Sequence, residues 1–448
     1  MAKQYKVITG ERVVSLISFH THGCKVNTYD TGLLENQLND VATSDAHVHV
    51  INSCAVTAQA TLDVVKQARR LKRKQPDSKV VVTGCSAQVD HQILLDAPEI
   101  DIVVANSHKP HLREILQDHL SAKESSRSYI DDIFKNETLG EGGGLESAHT
   151  RAYLKIQDGC NSFCTFCVIP FARGRSRSLS VKELCERANS LYQQGAREIV
   201  LTGVHVGDYE NTNGESKVVL EDLVSEMLKR TEVPRYRISS LEPIELTDRL
   251  LDLYSDERLC PHFHMSIQSA STKVLHEMKR KYTAEDVKSA LTRIRQKLPS
   301  AYIGMDVIAG FPGETDEEFL ETCENLRSTP WTRIHVFPYS ERSRTKAAQR
   351  EDQIPVATRM SRAEALRELS HQRAFEEAER QIGLVKRALV LRNNKERGRA
   401  LTRDYWNLEI DQNDLSVNEE LEFRIVAISD RSVHNGPILK AEVVCASC

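Results

Sequence analysis

No stretch of this 448-residue chain approaches the ~20 uncharged apolar residues that a membrane span requires, so no spanning helix is expected. The opening residues, MAKQYKVITGERVV, lack the apolar core of a secretion signal, and the expected location is the cytoplasm. There is no overall excess of positive charge either. With a net charge of −4, any nucleic-acid footprint has to be local. A composition of 40% hydrophobic and 28% charged residues speaks against large-scale disorder and fits a globular protein of two or three domains. The chain does have 11 cysteines. In a reducing compartment clustered cysteines are metal ligands or catalytic groups rather than disulfides.

Three of them close a repeated phrase. VVSLISFHTHGC (13–24), HVHVINSC (47–54) and SKVVVTGC (78–85) are β-branched runs that end on cysteine, each followed by a helix-like stretch. Cys24, Cys54 and Cys85 stand 30 and 31 residues apart, about one βαβ unit. If the strands are parallel neighbours, the three thiols share the carboxyl edge of one sheet, where open α/β folds bind ligands. Residues 1–120 are therefore expected to form a parallel-sheet α/β domain, and the Ser-, Gly- and charge-rich segment 121–150 a linker. Six strand-like runs follow: AYLKIQD, EIVLTGV, RYRISSL, HFHMSIQ, YIGMDVIAGF and RIHVFPYS. They predict a partial (β/α)6 barrel over 151–380. Short strands at close spacing predict a small β-barrel over 381–448.

DGCNSFCTFCVIPFARGRSRS (158–178) carries Cys160, Cys164 and Cys167 just after the first barrel strand, at the catalytic end of such a barrel. A [4Fe-4S] cube takes four thiolates as a rule, so three leave one iron for a distant cysteine, a histidine or a substrate. Zinc is the competing metal, but a structural zinc site wants four closed ligands, and no partner pair follows at the expected distance.

The CxxxCxxC spacing with Phe166 before its last cysteine resembles the radical S-adenosylmethionine (SAM) superfamily, and GFPGET (310–315) and IQSAS (267–271) resemble its SAM-binding segments. FHTHGCKVNTYDT, INSCAVTAQA, VTGCSAQ, LTGVHVGDY and FPYSERSRT extend the likeness, in order, to the methylthiotransferases. The chain departs from that pattern at Gly32, Ala270, Glu341, Ser343 and Arg344. The resemblance implies two [4Fe-4S] clusters. One, on Cys160, Cys164 and Cys167, cleaves SAM to a radical with Phe166 beside the cofactor. The other, on Cys24, Cys54 and Cys85, carries the sulfur. It also implies an external electron donor and a sulfur source.

GCKVN, NSCAVT and RGRSRS look most like the branch that acts on N6-threonylcarbamoyladenosine at tRNA position 37. The other branches treat isopentenyladenosine in tRNA or an aspartate of a ribosomal protein, and a reading of a different class is a non-enzymatic iron–sulfur RNA-binding protein. The tail resembles the TRAM module and holds seven Lys or Arg against Glu396 between Gln381 and Arg403. Arg392, Lys395, Arg397 and Arg399 are the candidate contacts to the anticodon stem-loop of tRNA. Arg69–Lys74 and the Arg173, Arg175, Arg177 segment are further basic candidates. Cys185, Cys260 and Cys323 read as ordinary thiols, and the terminal Cys445 and Cys448 as incidental.

Overall fold

The three cysteine-terminated runs fold as neighbouring parallel strands. The computed structural model describes residues 16–41, 47–135, 150–213, 216–394, 397–411, 415–431 and 436–444. In it β1 (Ile17–Thr21), β2 (Val48–Ser53), β3 (Lys79–Gly84), β4 (Ile102–Ala105) and β5 (Ser128–Tyr129) form a sheet in that order. Every pairing is parallel. Alternation explains why the runs are continuously apolar: Val50 and Val81 pack with Leu34 and Leu112 on one face, Ile51, Val80 and Val82 with Val64 and Leu94 on the other. Helix α1 (Lys25–Leu38) follows β1, α2 (Ala58–Lys74) follows β2, and the short α3 (Cys85–Val89) follows β3. The Thr57 side chain caps α2 by accepting from the Ala60 N–H, and Lys72, Arg73 and Lys74 lie at its negative end.

Part of the segment read as a linker belongs to this domain. Ser128–Tyr129 pairs with β4, and Ile133 is buried. The Ser and Gly content of 121–150 masks the apolar residues Tyr129, Ile133 and Phe134. Residues 136–149 lie outside the described residues.

Six parallel strands make the central unit: β6 (Arg151–Lys155), then Glu198–Thr202, Tyr236–Ile238, His262–Gln268, Tyr302–Ala309 and Arg333–Pro338. Two three-stranded sheets are joined by parallel bridges at Tyr236/Leu259 and Leu241/Met265, which gives an open (β/α)6 barrel. Residues such as Leu154, Ile199, Tyr236, Phe263, Met305 and Ile334 point outward into the core beneath the helices. Their neighbours at Lys155, Glu198, Arg237, His264, Asp306 and His335 therefore face the lumen. Helix α1 packs along β6, so the N-terminal domain borders the barrel's open side.

The tail is a closed barrel of Val385–Asn394, Arg397–Thr402, Asn407–Ile410, Leu439–Val443 and Glu420–Ile428, with Val390, Trp406, Leu408 and Phe423 in its core. It docks on the amino ends of the central strands, opposite the cysteines. Arg235 donates to the Leu401 carbonyl (3.0 Å), Arg237 to the carbonyls of Thr402 and Arg403 (2.8 Å each), and Tyr405 stacks on His262 at 3.7 Å. Glu198, fully buried, accepts from Arg151, Arg235 and Arg237 at 2.5, 2.9 and 3.0 Å. Despite its burial, these three cations hold its carboxyl well below the usual range. Removing that carboxylate leaves buried guanidinium groups uncompensated, so Glu198→Ala should cost about 3–5 kcal/mol. Thermal unfolding checks this, and a midpoint equal to wild type contradicts it.

Candidate functional site

The register of the N-terminal sheet sets its three strand ends level: Thr21 pairs with Asn52, Asn52 with Thr83 and Ser53 with Gly84. Cys24, Cys54 and Cys85 follow these ends. Two glycines make the approach possible. A Cβ on Gly23 (φ +93°) would lie 2.6 Å from Cys54 Cβ, and one on Gly84 (φ +98°) 2.5 Å from the Ser53 backbone. Cys24 is exposed, whereas Cys54 and Cys85 are buried. Burial, reinforced by neighbouring Cys85 and Cys24, pushes the Cys54 thiol up to about 11. Cys85 Sγ receives Arg173 Nε at 3.2 Å and Asn106 Nδ2 at 3.9 Å.

The second triad sits on a tight loop after β6. Gly159 (φ +73°) brings that loop against Arg175, whose carbonyl O would lie 2.0 Å from a Cβ there. Cys160 N–H donates to the Gly174 carbonyl (3.1 Å) and Cys167 N–H to the Cys164 carbonyl (3.0 Å). Each of two sulfurs has a cationic neighbour. His205 Nδ1 is 3.8 Å from Cys160 Sγ, and Arg280 Nη1 donates to Cys164 Sγ at 3.1 Å. Glu242 joins the two cations, 3.3 Å from His205 and 2.9 Å from Arg280, while Glu245 lies 2.5 Å from His205. Against burial, Cys160 and Glu245 push His205 up to about 11, and His205 in turn pulls the Cys160 thiol down. Burial and the Cys164 thiol push Cys167 up to about 12.

Both donor sets fit an iron–sulfur cube with one open iron. Within each triad the thiols lie in mutual electrostatic reach. No further cysteine of the described residues joins either set: Cys185 and Cys323 sit in the barrel core, and Cys260 lies beside Arg237. His205 has both ring nitrogens committed, to Cys160 and to Glu245. Cationic donors to thiolate sulfur suit a cluster whose ligands carry negative charge.

The triads converge. Cys85 packs in one apolar group with Ala55, Val168 and Ala172, which joins the N-terminal cysteines to the helical turn after Cys167. A cavity of about 220 Å³ opens between Val56 and Thr57 on one side and Phe166, Cys167, Gln268, Asp306, Ile308 and Phe337 on the other. Gln268 has φ +63°, and a strand irregularity precedes it, so backbone strain is stored at the cavity wall. Beneath the sulfurs, buried Arg173 donates to Asp158 (3.0 Å), Asp30 (3.0 Å) and Asn27 (2.6 Å). Lys155 binds Asp30 (2.7 Å) and Asp158 (3.0 Å), and Lys109 binds Asp30 (3.2 Å).

The structure redistributes the basic candidates. Arg173 is buried and Arg177 bonds the Arg173 carbonyl, so of that segment Arg175 alone is exposed. In α2, Arg69 pairs with Glu99 and Lys72 with Asp101, while Arg70, Arg73 and Lys74 are exposed. In the tail, Lys386 pairs with Asp404, and both Arg387 and Arg403 with Glu420. Arg399 is exposed, Arg392 and Arg397 lie opposite Arg399 and Asn394 in one strand pair, and Lys395 falls outside the described residues, as do Cys445 and Cys448. Sequence reasoning missed Asp30, Asp158, His205, Glu242 and Arg280. Asp30, Asp158 and His205 stand inside the quoted motifs FHTHGCKVNTYDT, DGCNSFC and LTGVHVGDY, whereas Glu242 and Arg280 carry no local signal.

Comparisons with known proteins agree with this geometry. Residues 154–326 match the radical SAM superfamily and residues 16–105 the uncharacterized protein family UPF0004. The threonylcarbamoyladenosine tRNA methylthiotransferase MtaB of Aquifex aeolicus is 37% identical over 88% of this chain and 96% of its own length. Its Bacillus subtilis counterpart is 37% identical over 82% of each chain. The tRNA-2-methylthio-N(6)-dimethylallyladenosine synthase of Desulfotalea psychrophila is 31% identical over 85% of this chain and 89% of its own. Among solved structures, the radical SAM methyltransferase TsrM of Kitasatospora setae shares the fold, with a TM-score of 0.52 and 14% identity over 75% of this chain and 77% of that one. Two thiol triads that meet across one domain boundary, in a chain that aligns with these enzymes over most of its length, belong together: the chain is a member of the radical SAM methylthiotransferase family.

Proposed function

We propose that this protein is a cytoplasmic tRNA methylthiotransferase that places a methylthio group on C2 of N6-threonylcarbamoyladenosine at position 37. The observation that carries the reading is the meeting of the two triads: Cys167 lines a cavity whose opposite wall, Val56 and Thr57, follows Cys54, and Cys85 packs against Val168. Cys160, Cys164 and Cys167 would hold one [4Fe-4S] cluster with SAM at its open iron, and Cys24, Cys54 and Cys85 would hold a second. When bound, these groups supply the electron for SAM cleavage and the site for the transferred sulfur, with an external electron donor and sulfur source. His205 and Arg280 place positive charge at the Cys160 and Cys164 sulfurs. Phe166 offers an aromatic face to SAM, and Val56, Ile308 and Phe337 give the cavity apolar walls.

The relatives divide between threonylcarbamoyl and dimethylallyl substrates. The decisive assay is mass spectrometry of nucleosides from anticodon stem-loops bearing either group, after incubation with loaded protein, SAM and reductant. The product should be the methylthio derivative of the threonylcarbamoyl nucleoside. Methylthiolation of the dimethylallyl RNA alone would reassign the substrate.

Two separate triads make about eight irons per chain the expected content of anaerobically prepared protein. The Cys160/Cys164/Cys167→Ala variant should lose half of it. The Cys24/Cys54/Cys85→Ala variant should still cleave SAM reductively but transfer no sulfur. Methylthiolated RNA from that second variant would overturn the assignment of the N-terminal triad.

For the tail, Ala at Arg392, Lys395, Arg397 and Arg399 should weaken tRNA binding and flatten its salt dependence by roughly one unit of log–log slope for each phosphate no longer neutralised. Titrations over a salt series measure this. Equal slopes for wild type and variant would move RNA binding to Arg175 or to the exposed face of α2.

A further inference from the structure

The lumen of the central barrel holds a group of metal-ligating side chains that neither the cysteine triads nor the tail uses. His264, Asp306 and His335 stand on three adjacent parallel strands. Register brings them together: Asp306 pairs with His335 across one strand boundary, and His264 pairs with Gly304, the previous lumen-facing position, across the other. Gly304 puts no side chain into the lumen, which leaves the imidazoles room to turn toward Asp306. His264 Nε2 is 2.8 Å and His335 Nδ1 3.5 Å from Asp306 Oδ1, and the three atoms all lie within 4.8 Å of one another.

A hydrogen-bonded row is the plainer reading of such a group, and the geometry speaks against it. His264 Nε2 and Asp306 Oδ1 are close enough to bond, yet both atoms are buried and neither has a hydrogen-bond partner among the described residues, so the contact fails on direction rather than distance. Shared coordination gives these separations instead. Two ligands each about 2.1 Å from one ion stand about 3.0 Å apart at a right angle and about 3.4 Å apart at the tetrahedral angle. Two imidazole nitrogens and one carboxylate oxygen are also the donor set of open zinc sites, in which three protein ligands leave a fourth position free. Asp306 lines the cavity of about 220 Å³, which gives that position somewhere to open, and His335 is exposed, which gives an ion a way in. The cations of the layer below do not claim Asp306: Arg151, Arg235 and Arg237 are held by Glu198, and Arg235 also by Glu420. His205 with Glu242 and Glu245 has a similar donor set, but His205 is engaged at Cys160 and belongs to the triad there.

We propose that His264, Asp306 and His335 bind a borderline divalent cation of the zinc type, with its open position toward the cavity. The site goes beyond the methylthiotransferase reading and does not depend on which RNA is the substrate. An ion held there presents a Lewis acid to an oxygen or nitrogen donor of the molecule that occupies the cavity.

The test is zinc binding to protein that carries its clusters, prepared anaerobically and freed of loosely held metal by gel filtration. Equilibrium dialysis against zinc(II) should find one zinc per chain in wild type, with iron and sulfide content unchanged. His335→Gln removes a ligand at the exposed edge and should weaken that site by at least about tenfold, the loss that follows removal of even an outer-shell partner. Combined with Asp306→Asn it should abolish the site. Should the double variant lose its clusters, His264→Gln, which spares the cavity wall, is read in its place and should also bind at least about tenfold more weakly. Anomalous scattering at the zinc edge should place the ion between the three side chains. Imidazoles also gather in the N-terminal sheet, where His20 and His47 adjoin His49. His49→Gln should therefore bind zinc as wild type does. Absence of bound zinc in wild type overturns the proposal, as does equal affinity in wild type and in the variants of the row. Iron released in step with zinc bound would put the metal on the cysteines, and a loss in His49→Gln with none in His335→Gln would put it on the N-terminal histidines. Either result overturns the site.

Discussion

Arg173 is the residue on which the site's assembly depends. It leaves the barrel loop six positions after Cys167, crosses into the N-terminal domain and donates to Cys85 Sγ, Asn27 and Asp30 while holding Asp158 of its own domain. A guanidinium has enough fixed donors to satisfy all four at once. With Lys155 and Lys109 it makes three buried cations against the two carboxylates of Asp30 and Asp158. The surplus positive charge faces the thiol triad. A buried network of this kind is stable only when its charges balance. Arg173 Nε donates to Cys85 Sγ, so the contact that docks the two domains also places positive charge at the N-terminal triad.

The same logic recurs at the other triad with different residues. Arg280 and His205 bring positive charge to Cys164 and Cys160, and Glu242 and Glu245 fix their positions. Each triad thus has its own arginine, held by carboxylates that do not touch sulfur. The tail barrel stands apart, attached to the amino ends of the central strands through Arg235, Arg237 and Tyr405. Chemistry is gathered at one end of the central barrel, and the tail's exposed cations lie with the domain docked at the other.

Much of the fold was legible because β-branched runs buried on both sides have no other use. The runs ending at Cys24, Cys54 and Cys85 became parallel neighbours, and the six later runs became the six barrel strands. Charge was harder to read. RGRSRS looks like a surface patch, yet Arg173 finds Asp30, 143 residues away in sequence. The basic count over 381–403 overstated free charge, because Asp404 and Glu420 neutralise Lys386, Arg387 and Arg403 across strands. Reading 121–150 as a linker missed Ile133, since three apolar residues do not change the composition of a Ser- and Gly-rich segment. Pairing partners are set by tertiary contact, and a linear charge count cannot register them.

The central claim is that the two triads hold two clusters at one cavity. It is tested most directly by electron paramagnetic resonance of the fully loaded protein with both clusters reduced. The account predicts spin–spin coupling between the clusters, visible as broadening that disappears when either cysteine triad is changed to alanine. A wild-type spectrum equal to the sum of the two single-cluster variants would show clusters too far apart to share a cavity and would contradict it.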